Sequence, residues 1–203
     1  MRRKKLNPKF VLKTAPTVEP ITLVEMKSFL RGPSSAEDAD VTALITAARN
    51  YAEDYQNRPL ITQTWELWLD DFPLHDCMPI RLKAGLQSVT SVKYYPDGGV
   101  ETTFASSNYI VDSADYIGKI VLNEDYQWPS EDLRAANGVC VEFICGYPIK
   151  DLGLITEDPA GNVPEMTKTA LKIWVAYNFE NRDGSDLPKA VNILLGLNRV
   201  STL

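Results

Sequence analysis

The sequence predicts an α+β fold: mainly a helical bundle of about four helices, with an antiparallel β insertion between helix two and helix three. Three observations carry this. Before Asn57, apolar residues fall at Val41, Leu44, Ile45, Ala48, Ala52 and Tyr55, a spacing of three and four that lines one face of a helix. After it, Trp65, Leu67 and Leu69 alternate with Glu66, Trp68 and Asp70, the period of two of a strand with one buried face. Near residue 164 the helical period returns. The switch at Asn57-Arg58-Pro59 has a local cause, because proline cannot continue a helix and pushes the residue before it toward an extended conformation.

In chain order, residues 6–20 show no periodicity and hold three prolines. They belong to an extended arm, assigned to residues 1–18, ahead of a single domain over 19–203. Helix one is expected at about 22–31. Thr22 is its N-cap, Glu25 completes a capping box, and Ile21 staples onto Met26. Gly32-Pro33 stops it. Helix two follows at about 37–57, with Ser35 as its N-cap. The β insertion spans about 62–145 and holds about six strands. Its strongest signal is a hairpin, residues 88–95 and 100–104 joined by Pro96-Asp97-Gly98-Gly99. A polar loop at 150–162 leads to helix three at about 164–181, where Pro164 suits the first helical position. Residues 181–185, NRDGS, end it. Helix four is expected at about 187–197.

A chain of 203 residues can bury a core without disulfides or metal. Its apolar and charged fractions, 44% and 24%, are those of a globular protein in water. No apolar run reaches the length of a membrane span. The basic start lacks the apolar core of a secretory signal. Cys77, Cys140 and Cys145 are odd in number and show no CxxC spacing, which argues against a disulfide framework and fits a cytoplasmic site of synthesis.

Charge is uneven. Arg2, Arg3, Lys4, Lys5, Lys9 and Lys13 lie in the first eighteen residues, which hold no acid. Removing those six from the 21 cations leaves 15 against 27 acids, so the body carries −12. Such an arm can bind nucleic acid or an acidic neighbour, including another copy of the chain, or it can act as a solubilising tail.

The residues of catalysis are nearly absent. His75 is the one histidine, which excludes a multi-His metal site, and it reads as an exposed loop residue. No phosphate-binding glycine loop or HExxH occurs. The acidic pairs Asp70-Asp71 and Glu131-Asp132 are adjacent in sequence. On a strand such neighbours point to opposite faces, so neither pair makes a site by itself. Trp65 and Trp174 fall on core stripes. Trp68 points to the other strand face, and if that face is exposed it marks an interface. No catalytic, cofactor or metal residue is assigned.

Several stretches together resemble the head-tail connector (adaptor) proteins of long-tailed bacteriophages and their prophages. They are Glu19-Pro20-Ile21-Thr22-Leu23, Ala47-Ala48-Arg49 through Tyr55, and Arg58-Pro59-Leu60-Ile61-Thr62-Gln63-Thr64-Trp65. Leu86-Gln87-Ser88-Val89-Thr90-Ser91-Val92, Tyr109 with Val111-Asp112, Trp128-Pro129, Gly146-Tyr147 and Glu180-Asn181-Arg182 complete the set. They cover about residues 19–200.

The resemblance implies a structural, non-enzymatic subunit of the virion neck. It implies a ring, dodecameric in the family, under the portal protein. That ring joins the DNA-filled head to a head-closure or tail protein. DNA passes through without sequence-specific binding, and no cofactor or membrane is involved. A ring needs two different patches on each subunit. The candidates are the β face bearing Trp68 and the last helix with Leu194, Leu195 and Leu197, which otherwise completes the bundle core. Arg2, Arg3, Lys4, Lys5, Lys9 and Lys13 form the candidate electrostatic arm. Alternative readings are another neck or tail component, such as a head-closure or tail-terminator protein, and a carbohydrate-active enzyme or binder using Trp and carboxylates.

Overall fold

The computed structural model describes residues 6–32, 34–147, 163–181 and 186–201. These contain four helices and eight strands in two antiparallel sheets, an α+β fold. The chain divides into two compact units, one of Met1–Ala15 with Gln63–Gly146 and the other of Pro16–Thr62 with Tyr147–Leu203. A helical bundle with one β insertion therefore describes it incompletely. Strands outnumber helices, and the β unit also takes in residues from the N-terminus.

The β unit begins with strand β1, Lys9–Thr14. Residues 9–14 were expected in an aperiodic arm. Every side chain of this strand is exposed, so no buried face imposes an alternating pattern on its sequence. It pairs antiparallel with β2, Gln63–Leu69. The others are β3 (Ile80–Ala84), β4 (Leu86–Tyr94), β5 (Thr102–Phe104), β6 (Tyr109–Asp112), β7 (Ile117–Leu122) and β8 (Val139–Cys145). The larger sheet runs β1-β2-β8-β4-β5 and the smaller β3-β7-β6. The expected hairpin is β4 and β5. Its turn has Gly98 in the left-handed region (φ 68), with Gly99 N–H donating to the Pro96 carbonyl at 3.1 Å.

β8 lies at the middle of the larger sheet, between β2 and β4. Val139, Val141, Phe143 and Cys145 alternate along it and are buried, so they line one face. Leu67 stands opposite Val141, and Val92 stands opposite it on the other side. An aromatic group closes this core. Phe72 stacks on Trp128 at 5.2 Å, and Phe104 meets Trp128 at 5.5 Å and Tyr109 at 6.0 Å.

The helical unit holds α1 (Leu23–Phe29), α2 (Asp38–Gln56), α3 (Glu165–Glu180) and α4 (Lys189–Gly196). The capping box of α1 forms as its sequence directs. Thr22 N–H donates to Glu25 Oε2 at 2.8 Å, and Glu25 N–H donates to Thr22 Oγ1 at 3.2 Å. Ahead of α2 the capping residue is Ser34 rather than Ser35. Its N–H donates to Glu37 Oε2 at 2.9 Å, opening a 3-10 turn at Ser35–Glu37. Pro164 sits one position earlier than expected, at the N-cap of α3.

α2 ends at Asn57, which turns left-handed (φ 53) so that Arg58 N–H reaches the Glu53 carbonyl at 3.1 Å. The helix thus stops at Gln56, three residues before Pro59. Val41, Ile45, Ala48 and Ala52 of its stripe join Met26, Ala170, Leu171, Val175, Val191 and Leu195 in a second core. The polar loop at 150–162, and Arg182 through Ser185 of the NRDGS segment, lie outside the described residues.

Candidate assembly surfaces

The alternation of β2 and β8 sends one set of side chains into the core and the other onto the opposite face of the larger sheet. Val11, Glu66, Glu142 and Ser91 lie in one row across four strands, and Lys9, Trp68, Cys140 and Lys93 lie in the next. Glu66 and Glu142 are directly opposite each other, an arrangement that repels across a strand pair. Lys13 resolves it. Its Nζ lies 3.2 Å from Glu66 Oε1 and 2.7 Å from Glu142 Oε2, so one cation from β1 spans carboxylates on β2 and β8. Hydrogen bonds to Glu142 and then Glu66 raise the Lys13 pKa.

Lys9 adds a second tie, 3.5 Å from Asp70 Oδ1 and 3.0 Å from Asn137 Oδ1. The Asn137 N–H donates to Asp70, and this bond leads the effects that hold the Asp70 pKa below its ordinary value. The two described lysines of the candidate arm are therefore ion-paired within the β unit. Arg2, Arg3, Lys4 and Lys5 lie outside the described residues.

Trp68 is half-buried on this same face and is covered by its own unit. Its ring stacks on Tyr95 at 5.8 Å, and its Nε1 donates to Glu66 Oε2 at 3.0 Å. The Arg134 guanidinium lies over Tyr95 at 3.9 Å and near Trp68 at 5.7 Å. Tyr95 Oη donates to Glu101 Oε2 at 2.7 Å, and its pKa is pushed up to about 12, first by burial and then by that bond. Burial also pushes Cys140 up to about 12, so it stays a thiol.

The last helix separates its three candidate residues. Leu195 is 1% exposed and belongs to the core, Leu194 packs partly against it, and Leu197 is 62% exposed. Ile193, which sequence reasoning missed, is 67% exposed. Its four-residue offset from Leu197 was the signal, since such a pair shares one helix face.

His75 and Cys77 are exposed on the loop between β2 and β3. The other tryptophans are packed: Trp128 against Phe72, Trp174 against Tyr51 at 6.0 Å, and Trp65 under the Lys83 ammonium at 4.1 Å. Among the described residues no His, Cys, Asp and Glu cluster could hold a metal ion, and no helix is long and apolar enough to cross a membrane.

No protein-family model matches this sequence, and no curated protein matches it. Solved structures do. One similar chain comes from the neck of an empty gene transfer agent (GTA) particle computed with C6 symmetry, at a TM-score of 0.74 and 21% identity, covering 96% of this chain and 97% of that one. Another, from the virion of a native GTA particle, aligns at 0.73 with 22% identity over 96% of both chains. A third, from the neck of a native GTA particle computed with C12 symmetry, aligns at 0.67 with 20% identity over 96% of this chain and 97% of that one. At these identities the likeness shows a shared fold, and it extends over nearly the whole of each chain.

Proposed function

We propose that this chain is a structural subunit of the neck of a phage-like particle, a head-tail connector that forms a ring beneath the portal and joins the DNA-filled head to the tail. The carrying observation is the fold shared across 96% of the chain with neck chains of GTA particles. Those necks were computed with C6 and C12 symmetry, which supports a ring of identical copies here, dodecameric as in the connector family. On this reading the helical unit is the connector's helical part, and the β unit joins β1 to the strands that lie between α2 and α3. The partners are the portal on one side and a head-closure or tail protein on the other. No catalytic constellation is needed, because the work is binding and alignment.

The charge balance suits the role. A wall carrying excess acid does not hold DNA tightly, since phosphate binding grows with the number of neutralising cations. The test is to withhold the chain from an assembling particle. Filled heads and free tails should accumulate unjoined, and purified chain added back should join them. Joined particles made without it would overturn the reading.

A further inference from the structure

We propose that β1 is exchanged between neighbouring copies, so that residues 9–14 of one subunit pair with β2 of the next and lock the ring. This rests on the ring reading above. The occupant of the site is identified by the contacts that β1 makes within its own chain.

The seat on β2 is charged and specific. Without β1, Glu66 and Glu142 face each other with no cation between them, and Asp70 loses Lys9. The seat therefore calls for an extended strand with cations four residues apart, which Lys9 and Lys13 supply. The attachment is also shallow. Phe10, Val11 and Leu12 are 38%, 47% and 43% exposed, and the Phe10 ring meets Phe143 edge-on at 6.3 Å and the Lys83 ammonium at 5.1 Å. An apolar groove of about 340 Å³ opens beside Leu6, Pro8, Leu69 and Met78, so the approach to the strand is not packed tight.

β1 is held by ladder hydrogen bonds, half-exposed ion pairs and the contacts of Phe10 with Phe143 and Lys83, all of which a neighbour's identical strand reproduces. Exchange thus costs little enthalpy, and a ring supplies the high local concentration that favours it. The interface is heterologous, a strand on one side and a seat on the other, as a closed ring requires.

The test places cysteines at Thr14 and Thr64, which are directly opposite in the β1–β2 register, in a chain carrying Cys77→Ser. Rings assembled on portal-bearing heads are oxidised and run under denaturing conditions. The expected result is a ladder of covalent multimers. Rings whose chains are all closed on themselves would overturn the exchange and leave the ring reading standing. A chain that forms no ring on such heads would overturn both. A second arm mixes Lys13→Glu chains with Glu142→Lys chains. Exchange predicts that the mixture assembles better than either variant alone, and no gain on mixing counts against it.

Discussion

Arg49, on the core side of α2, reaches back thirty residues to Glu19. Its Nε donates to Glu19 Oε2 at 2.7 Å, its Nη2 lies 3.4 Å from Oε1, and Thr46 Oγ1 donates to that same Oε1 at 2.9 Å. Arg49 is 8% exposed, and its Nη1 also meets Glu53 at 3.3 Å. Glu53 in turn accepts the Leu60 N–H at 2.8 Å. One chain of charge-assisted bonds therefore ties the entry to α1, the body of α2 and the exit from α2. Arg49→Ala should cost about 2–3 kcal/mol, the scale of hydrogen bonds to charged groups with a partner left behind. Arg49→Lys should recover part of this, because it keeps the charge and loses the fork. Urea midpoints check both, and an Arg49→Ala midpoint equal to wild type would refute the tie.

Gly118 on β7 faces Leu86 on β4, and a Cβ at Gly118 would collide with the Leu86 side chain. Leu86 is buried and cannot swing aside freely. Gly118→Ala should therefore destabilise the β unit by about 1–3 kcal/mol, the usual cost of overpacking. Thermal unfolding is the readout. A cost of Gly118→Ala that shrinks in a Leu86→Gly background, where the colliding Cβ is gone, would identify this contact as the cause.

Asn57 ends α2 at φ 53. Asn57→Gly should be neutral or slightly stabilising, and Asn57→Val should cost about 1–2 kcal/mol, because a branched Cβ resists the left-handed region. Equal stability of the two variants would show that the turn relaxes.

Glu25 has a lowered pKa, first through the Thr22 N–H bond of the capping box. A carboxylate with a depressed folded-state pKa stabilises the fold above its ordinary value, 4.5, and that stabilisation is lost as pH falls through the lower folded value. Glu25→Gln should therefore weaken the helical unit near neutrality and make its stability less dependent on pH below about 4.5. An unchanged acid slope in the variant would exclude Glu25 as a contributor.

The elements with one buried face were legible in the sequence. The stripe Val41, Ile45, Ala48 and Ala52 and the alternation of Leu67 and Leu69 show in their periods, and Thr22 with Glu25 shows in its spacing. β1 was not legible, because an exposed edge strand buries nothing that would mark its sequence. The membership of residues 9–14 in the β unit was hidden for the same reason. Arg49 and Gln56 read as polar positions on α2, yet both are buried. Their partners, Glu19 for one and Thr167 with the Leu195 carbonyl for the other, lie far along the chain. Trp68 faces away from the core, as its place in the alternation of β2 implies, while its cover by Tyr95 and Arg134 comes from residues outside the strands, which no period marks.

The most direct measurement is electron cryomicroscopy of purified portal-bearing heads after incubation with the chain. The account predicts one added ring at the single portal vertex, twelve copies of the 22.7 kDa chain or about 272 kDa, with density for β1 on β2. Bare portal vertices, or the chain scattered over the capsid shell, would contradict it.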